Sequence, residues 1–195
     1  MKRLVVLISG GGSNLQALLD AIENGTLSAD IALVVSNSAG AFGLERAKRA
    51  GLPTLSLVLD RTISSRIDYD SELAQHIAAV EPDLIVLAGW MHVLSPNFLD
   101  RFPGKVINLH PALPGVFPGT HAIERALDAF KRGDIASTGV MVHEVIAEID
   151  AGPVLGTRVV PIAAADTIST LSVRMHSAEH ELLVDVVRGL TARGR

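Results

Sequence analysis

Two polar residues close an apolar run in Val106-Ile107-Asn108-Leu109-His110-Pro111. Side chains alternate along a strand, so Asn108 and His110 would share one face. An amide donor beside an imidazole suits a carbonyl carbon that becomes tetrahedral. The amide donates to the developing oxyanion, and a protonated imidazole does the same or passes on a proton. The pair equally suits a structural strand end, with Pro111 and Pro114 stiffening the turn that follows. Asp150 stands just before Gly152-Pro153, where an Asp alone reads as an ordinary turn residue. Its interest lies in His110, because a neighbouring carboxylate raises an imidazole pKa and favours the charged form.

A second group, Gly10-Gly11-Gly12-Ser13-Asn14, follows an apolar strand and opens a helix. Glycines let the backbone turn tightly and approach a ligand closely. The N–H groups at a helix start bind anions, helped by the helix dipole. Ser13 and Asn14 can cap the helix or donate to a phosphate, so the group reads as a phosphate cradle or as a tight turn with a capping Ser. A P-loop requires Gly-Lys-Ser/Thr, which is missing. A dinucleotide fingerprint requires a glycine where Leu15 stands, and an acidic residue after the second strand, where Ser36-Asn37 is found. The loop therefore suits a monophosphate better than a dinucleotide.

The run His176-Ser177-Ala178-Glu179-His180 fits H-x-x-E-H and puts both His on one helix face, as zinc ligands would be. Only Glu181 and Asp185 follow as acidic candidates for a third ligand. A helix face with local hydrogen bonds explains the two His more simply, and no metal is expected. His76, His121 and His143 read as mostly structural, although His121 and His143 could border a site.

These residues need a scaffold, and the apolar pattern supplies one. Strand-length runs occupy Leu4–Ser9, Ile31–Ser36, Thr54–Leu59, Leu84–Ala88, Val106–Leu109, Gly139–Val145 and Val154–Val160. Several are continuously apolar, as strands covered on both faces are. Helices fit between them at Asn14–Glu23, Gly43–Ala50, Arg66–Val80, Pro96–Arg101, His121–Arg132 and Thr167–Gly189. The alternation predicts an α/β fold: a single domain over 1–195 with a mostly parallel, Rossmann-like sheet of about seven strands and helices on both faces. Ligands of such sheets sit at the carboxyl ends of the strands.

Composition narrows the partners. The chain has no cysteine, which excludes disulfides and thiolate metal sites and fits a reducing cytoplasm. Its net charge is −4 and it has no long basic run, so neither nucleic acid nor an anionic membrane is expected as the main partner. No segment approaches the roughly 18 apolar residues of a membrane span. The start, Met1-Lys2-Arg3 and then Leu4–Ile8, is too short in its apolar run for a signal peptide and reads as a first buried strand.

An ordered set of segments carries a resemblance. Ile8-Ser9-Gly10-Gly11-Gly12-Ser13-Asn14-Leu15-Gln16-Ala17, Ala41-Phe42-Gly43-Leu44-Glu45-Arg46-Ala47, Leu87-Ala88-Gly89-Trp90-Met91, Asn108-Leu109-His110-Pro111 and Asp150-x-Gly152-Pro153 run colinearly. Together they resemble the phosphoribosylglycinamide formyltransferases, within the folate-dependent formyltransferase family. The resemblance implies transfer of a formyl group from 10-formyltetrahydrofolate to the amine of glycinamide ribonucleotide, in purine synthesis. It implies a catalytic trio of Asn108, His110 and Asp150. It places the substrate phosphate at Gly11, Gly12, Ser13 and Asn14, with Glu179 on the ribonucleotide. It places the folate along Arg66, Met91, His92, Val93, Leu94 and Asn108. A phosphate-binding half over about 1–104 and a folate-binding, catalytic half over about 105–195 follow from it. No metal is called for, since the acceptor amine is a nucleophile once neutral.

The chain departs from the bacterial pattern in two places. Ala112-Leu113-Pro114-Gly115-Val116-Phe117-Pro118-Gly119 replaces a Ser-Leu-Leu-Pro-Lys-Tyr-Pro-Gly form and is more similar to the fungal branch. His92 stands where Arg is frequent. Methionyl-tRNA formyltransferase and formyltetrahydrofolate hydrolase share single motifs with it. The first normally adds a C-terminal domain and a basic tRNA surface, the second an N-terminal regulatory domain, and neither addition is expected here. A monomer or a homodimer acting on small molecules is expected.

Overall fold

Each apolar run becomes a strand whose alternate side chains enter two different cores. The computed structural model describes residues 1–192, so the end of the expected domain, 193–195, lies outside the described residues. In β1 (Lys2–Ile8), Leu4, Val6 and Ile8 face one layer while Val5 and Leu7 face the other, and all are fully buried. Burying one such side chain contributes about 1.5–3 kcal/mol, so both faces of the strand demand cover.

That cover comes from the remaining elements, in the order α1 (Ser13–Glu23), β2 (Ala29–Ser36), α2 (Phe42–Arg49), β3 (Thr54–Ser56), α3 (Arg66–Ala78), β4 (Leu84–Leu87), α4 (Pro96–Leu99), β5 (Val106–His110), α5 (Ala122–Lys131), β6 (Ser137–Glu144), β7 (Val154–Pro161) and α6 (Ile168–Ala192). The sheet has seven strands in the order β3-β2-β1-β4-β5-β6-β7. The first five in sequence pair in parallel, and β6 and β7 pair antiparallel. Helices α1, α2, α5 and α6 bury Leu15, Leu44, Leu127 and Met175 on one face. Helices α3 and α4 bury Tyr69, Leu73, Ile77 and Phe98 on the other. The α/β domain with a mostly parallel sheet agrees with the alternation of runs.

Some boundaries differ from the sequence reading. The strand expected over Thr54–Leu59 stops at Ser56, because β3 lies at the sheet edge and pairs with β2 alone. Ser13 does not cap α1. The cap position is Gly12, in the left-handed region at φ 70°, and no side chain bonds the first N–H groups. Gly12 is required there for a second reason: a Cβ would sit 2.6 Å from the Gly43 Cα at the start of α2. Helix α3 has the stronger start, with Ser65 Oγ accepting the Asp68 N–H at 3.1 Å and Asp68 reaching back to the Ser65 N–H, a cap worth about 1 kcal/mol.

Candidate active site

The sheet changes direction of growth between β1 and β4, and the loops at the carboxyl ends of β1, β4 and β5 meet there. Asn108 and His110 reach this end on β5. The antiparallel neighbour β6 sets His143 directly opposite Asn108 in the ladder. Opposed residues put their side chains on the same face, so His143, read from sequence as mostly structural but able to border a site, joins the group. The turn after β6 brings Asp150 back over the same spot. Asp150 takes a left-handed conformation, φ 52°, which Asp tolerates better than most residues.

The hydrogen bonds fix most of the protons. A carbonyl can only accept, so His110 Nε2 donates to Phe117 O at 3.0 Å and His143 Nδ1 donates to Glu144 O at 2.8 Å. The remaining ring nitrogens, His110 Nδ1 and His143 Nε2, each lie 3.4 Å from an Asp150 oxygen. Asn108 Nδ2 donates to Asp150 Oδ1 at 3.2 Å and lies 3.2 Å from His143 Nε2. The Gly119 N–H donates to Asp150 Oδ2 at 2.8 Å. One carboxylate thus organises an amide, two imidazoles and a loop.

Burial changes the electrostatic expectation. The sequence reading had Asp150 raising the His110 pKa. Instead burial, the largest influence, takes the imidazole below its ordinary value and outweighs the opposing pull of Asp150 and Phe117 O. Only 4% of His110 is exposed, which is why desolvation of the charged form wins. Burial also pushes the Asp150 carboxyl up, but the contacts with His143 and the Gly119 N–H, with His110 nearby, together bring it below the ordinary carboxylate value. The resting site is therefore an ionised carboxylate facing a His110 that resists a second proton.

A cleft of about 620 Å³ opens beside this group, a size suited to a small molecule. Asn108, His110, His143 and Asp150 line it together with Trp90, Met91, His92, Val93 and Leu94. Arg66 stands beside this wall: its half-buried guanidinium donates to Val93 O and pairs with Asp70. A cavity of about 650 Å³ at the other end of the sheet is lined by Met1, Lys2, Asp83 and Arg188. It holds none of the candidate groups, which gather at the smaller cleft.

Gly11, Gly12, Ser13, Asn14 and Glu179 form a separate cluster that does not line the cleft. Gly11 and Ser13 are exposed, while Asn14 and Glu179 are buried. Asn14 Nδ2 donates to Glu179 Oε2 at 3.4 Å, and Asn14 Oδ1 has no protein partner. Burial pushes the Glu179 carboxyl up, against the pull of His176 and Asn14. The loop is shaped by α2, since the Gly43 N–H donates to Gly10 O at 3.0 Å and Arg46 Nε to Gly11 O at 2.8 Å. Its carbonyls are thereby taken, and the first N–H groups of α1 have no side-chain cap. The loop and the cleft are tied where the Met91 N–H donates to Ser9 Oγ at 2.8 Å. In the H-x-x-E-H run, Glu179 is engaged with Asn14, and Glu181 and Asp185 both pair with Arg158. Among the described residues no group of three or more His, Cys, Asp or Glu is arranged to hold a metal. No described helix is long and apolar enough to cross a membrane.

Comparison with known proteins identifies the family. A family profile described as formyl transferase matches residues 2–187. The phosphoribosylglycinamide formyltransferase of Schizosaccharomyces pombe is 49% identical, over 94% of this chain and 94% of that one. The Escherichia coli K12 protein of the same name is 42% identical, over 92% of this chain and 82% of its own. The crystal structure of phosphoribosylglycinamide formyltransferase from Bacillus halodurans superposes with a TM-score of 0.92 at 32% identity, over 100% of this chain and 97% of that one. The chain belongs to the formyl transferase family.

Proposed function

We propose that this protein transfers the formyl group of 10-formyltetrahydrofolate to the amine of 5-phosphoribosylglycinamide, in purine synthesis in the cytoplasm. The observation that carries the reading is the bridging carboxylate of Asp150, which gathers Asn108, His110 and His143 at the edge of one cleft. The fold, the family and the names of the relatives all point the same way. The folate lies along Arg66, Met91, His92, Val93, Leu94 and Asn108. The ribonucleotide phosphate takes the N–H groups of Gly11, Gly12, Ser13 and Asn14, with Glu179 toward the sugar. The phosphate loop belongs to the half about 1–104 and the catalytic Asn108, His110 and Asp150 to the half about 105–195, while the folate wall over 91–94 comes from the first half and Glu179 from the second. The protein acts as a monomer or a homodimer.

In the reaction the amine nitrogen attacks the formyl carbon, and a C–N bond forms as the carbonyl becomes an oxyanion. Asn108 Nδ2 and the Nε2 hydrogen of His110 turn toward that oxygen and stabilise it. His110 must leave Phe117 O to do so. Asp150, ionised, accepts the amine proton directly or through a water. The bond from carbon to N10 then breaks, and the proton passes to N10, giving tetrahydrofolate and the formylated ribonucleotide. Holding both substrates across adjacent strand ends supplies further acceleration.

The test mixes the protein with the ribonucleotide and 10-formyltetrahydrofolate and follows deformylated folate by absorbance. Turnover that requires the ribonucleotide is expected. Equal deformylation without it would make the protein a hydrolase, and no deformylation would remove the catalytic reading.

A further inference from the structure

We propose that Arg46 is a positioning residue of the glycine loop: by holding the Gly11 carbonyl it turns the Gly12 N–H to the substrate phosphate and so controls how tightly the ribonucleotide binds. The inference rests on the phosphate reading of the loop given above. Two consecutive carbonyls of the loop are held from α2. The Gly43 N–H donates to Gly10 O at 3.0 Å, and Arg46 Nε donates to Gly11 O at 2.8 Å. Across a trans peptide a carbonyl and the following N–H point in opposite directions. Drawing the Gly10 and Gly11 carbonyls toward α2 therefore turns the Gly11 and Gly12 N–H groups away from it. Elsewhere the loop is open: a Cβ added at Gly10 or Gly11 would meet no atom within 4 Å.

The two holds differ in kind. The first is main chain on main chain, and the packing of Gly43 enforces it: a Cβ there would lie 3.1 Å from the Gly12 Cα. The second depends on one side chain. Arg46 is half-buried, and its guanidinium lies 5.0 Å from the centre of the Phe42 ring, which covers it on one side. Its Nη1 donates to Gln16 Oε1 at 3.0 Å, and the Gln16 N–H donates to Gly12 O at 3.0 Å. Gln16 is fixed in turn by its Nε2, which donates to Asp20 Oδ1 at 2.7 Å. One guanidinium thus ties the loop to the first turns of α1. Arg46 does not line the cleft beside Asp150, so a change there should spare the folate and the catalytic group. Two substitutions separate its hydrogen bond from its charge. Gln carries its amide nitrogen as many bonds from Cα as Arg carries Nε, so Arg46→Gln keeps a donor for Gly11 O and loses the charge. Lys has a methylene at that point, so Arg46→Lys keeps the charge and puts its donor one bond further out.

For Arg46→Ala we expect the ribonucleotide KM to rise about tenfold, with kcat within about threefold and the KM for 10-formyltetrahydrofolate unchanged. The dissociation constant of the ribonucleotide, read by calorimetry without folate, should rise in parallel, and inorganic phosphate should become a weaker competitor for it. Arg46→Gln should recover most of the loss and Arg46→Lys less, since the orientation of one peptide is at stake. Recovery by Lys but not by Gln would overturn the proposal, because the phosphate would then need only a nearby positive charge. An unchanged ribonucleotide KM and dissociation constant in Arg46→Ala, even with a lowered melting temperature, would overturn it as well. So would an equal rise in both KM values, the mark of a general loosening of the fold. If Arg46→Ala does not fold, Arg46→Gln and Arg46→Lys carry the comparison, and unaltered ribonucleotide binding in both overturns the idea. If the unsubstituted protein binds the ribonucleotide but shows no ribonucleotide-dependent turnover, the proposed function fails while the calorimetric series still decides the role of Arg46.

Discussion

The Asp150 carboxylate lies 3.4 Å from His110 Nδ1, close enough to pair with it only if the buried ring accepts a second proton. Burial works against that proton, and it holds the His110 pKa below its ordinary 6.5. An unfolded His110 takes up a proton near the ordinary value while the folded one resists. The unfolded state then binds more protons, so stability falls as pH drops below about 6.5. Asp150 adds to the same trend at lower pH: its depressed carboxyl stabilises the fold above the ordinary 3.8 and loses that contribution as pH falls through the folded value. Urea unfolding should show a lower midpoint at pH 5.5 than at pH 7.5, and His110→Asn should narrow the gap. His92 and His180, also depressed by burial, will leave part of it. A gap of the same size in His110→Asn would refute the assignment.

Asn108→Ala should lower kcat by about 10²–10³, the usual cost of losing one oxyanion donor. The KM for the ribonucleotide should change little, because the glycine loop does not touch Asn108. Steady-state kinetics with each substrate varied in turn check this. Near-normal kcat would show that the amide serves only to hold His143 and Asp150.

Glu179→Gln separates binding from folding. Burial disfavours the ionised form of Glu179, and its single side-chain bond is to Asn14 at 3.4 Å. A neutral group of the same shape should leave the melting temperature equal or higher at pH 7.5. If Glu179 contacts the ribonucleotide, the KM for that substrate should rise about tenfold or more, the scale of one hydrogen bond to a charged group. A lower melting temperature with an unchanged KM would make the carboxylate a purely structural partner of Asn14.

Much of the scaffold was legible because the central stretches of β1, β2 and β4, Leu4–Ile8, Ile31–Val35 and Leu84–Leu87, are covered on both faces and so are apolar without interruption. Asn108 and His110 were legible as a pair because strand periodicity alone puts them on one face. His143 was legible only as a residue that could border a site, since its pairing with Asn108 is set by the antiparallel register of β5 and β6, a contact across 35 positions. The charge preference of His110 was misjudged for a similar reason. The sequence names the carboxylate nearby but not the depth of burial. The contacts of Arg66 with Val93 O and Asp70 could not be read from spacing, since the first joins residues 27 positions apart. Ser13 was expected as a cap, and the approach of Gly43 to Gly12 sets the loop instead.

Gly152 offers the sharpest test of how the turn supports the site. A side chain there would overlap the Glu144 carbonyl, the acceptor for His143 Nδ1. The Glu144 N–H is held from the same side by Pro153 O at 2.9 Å. In Gly152→Ala the backbone of the turn must move away from β6, which should cost about 1–3 kcal/mol as overpacking does. The movement frees His143 and shifts Asp150, two residues before the substitution. Turnover should therefore fall further than stability alone explains, measured at a temperature where urea unfolding shows the variant fully folded. A folded variant with unaltered kcat would mean that the turn can relax without disturbing Asp150, and that the carboxylate is held mainly by the Gly119 N–H and Asn108.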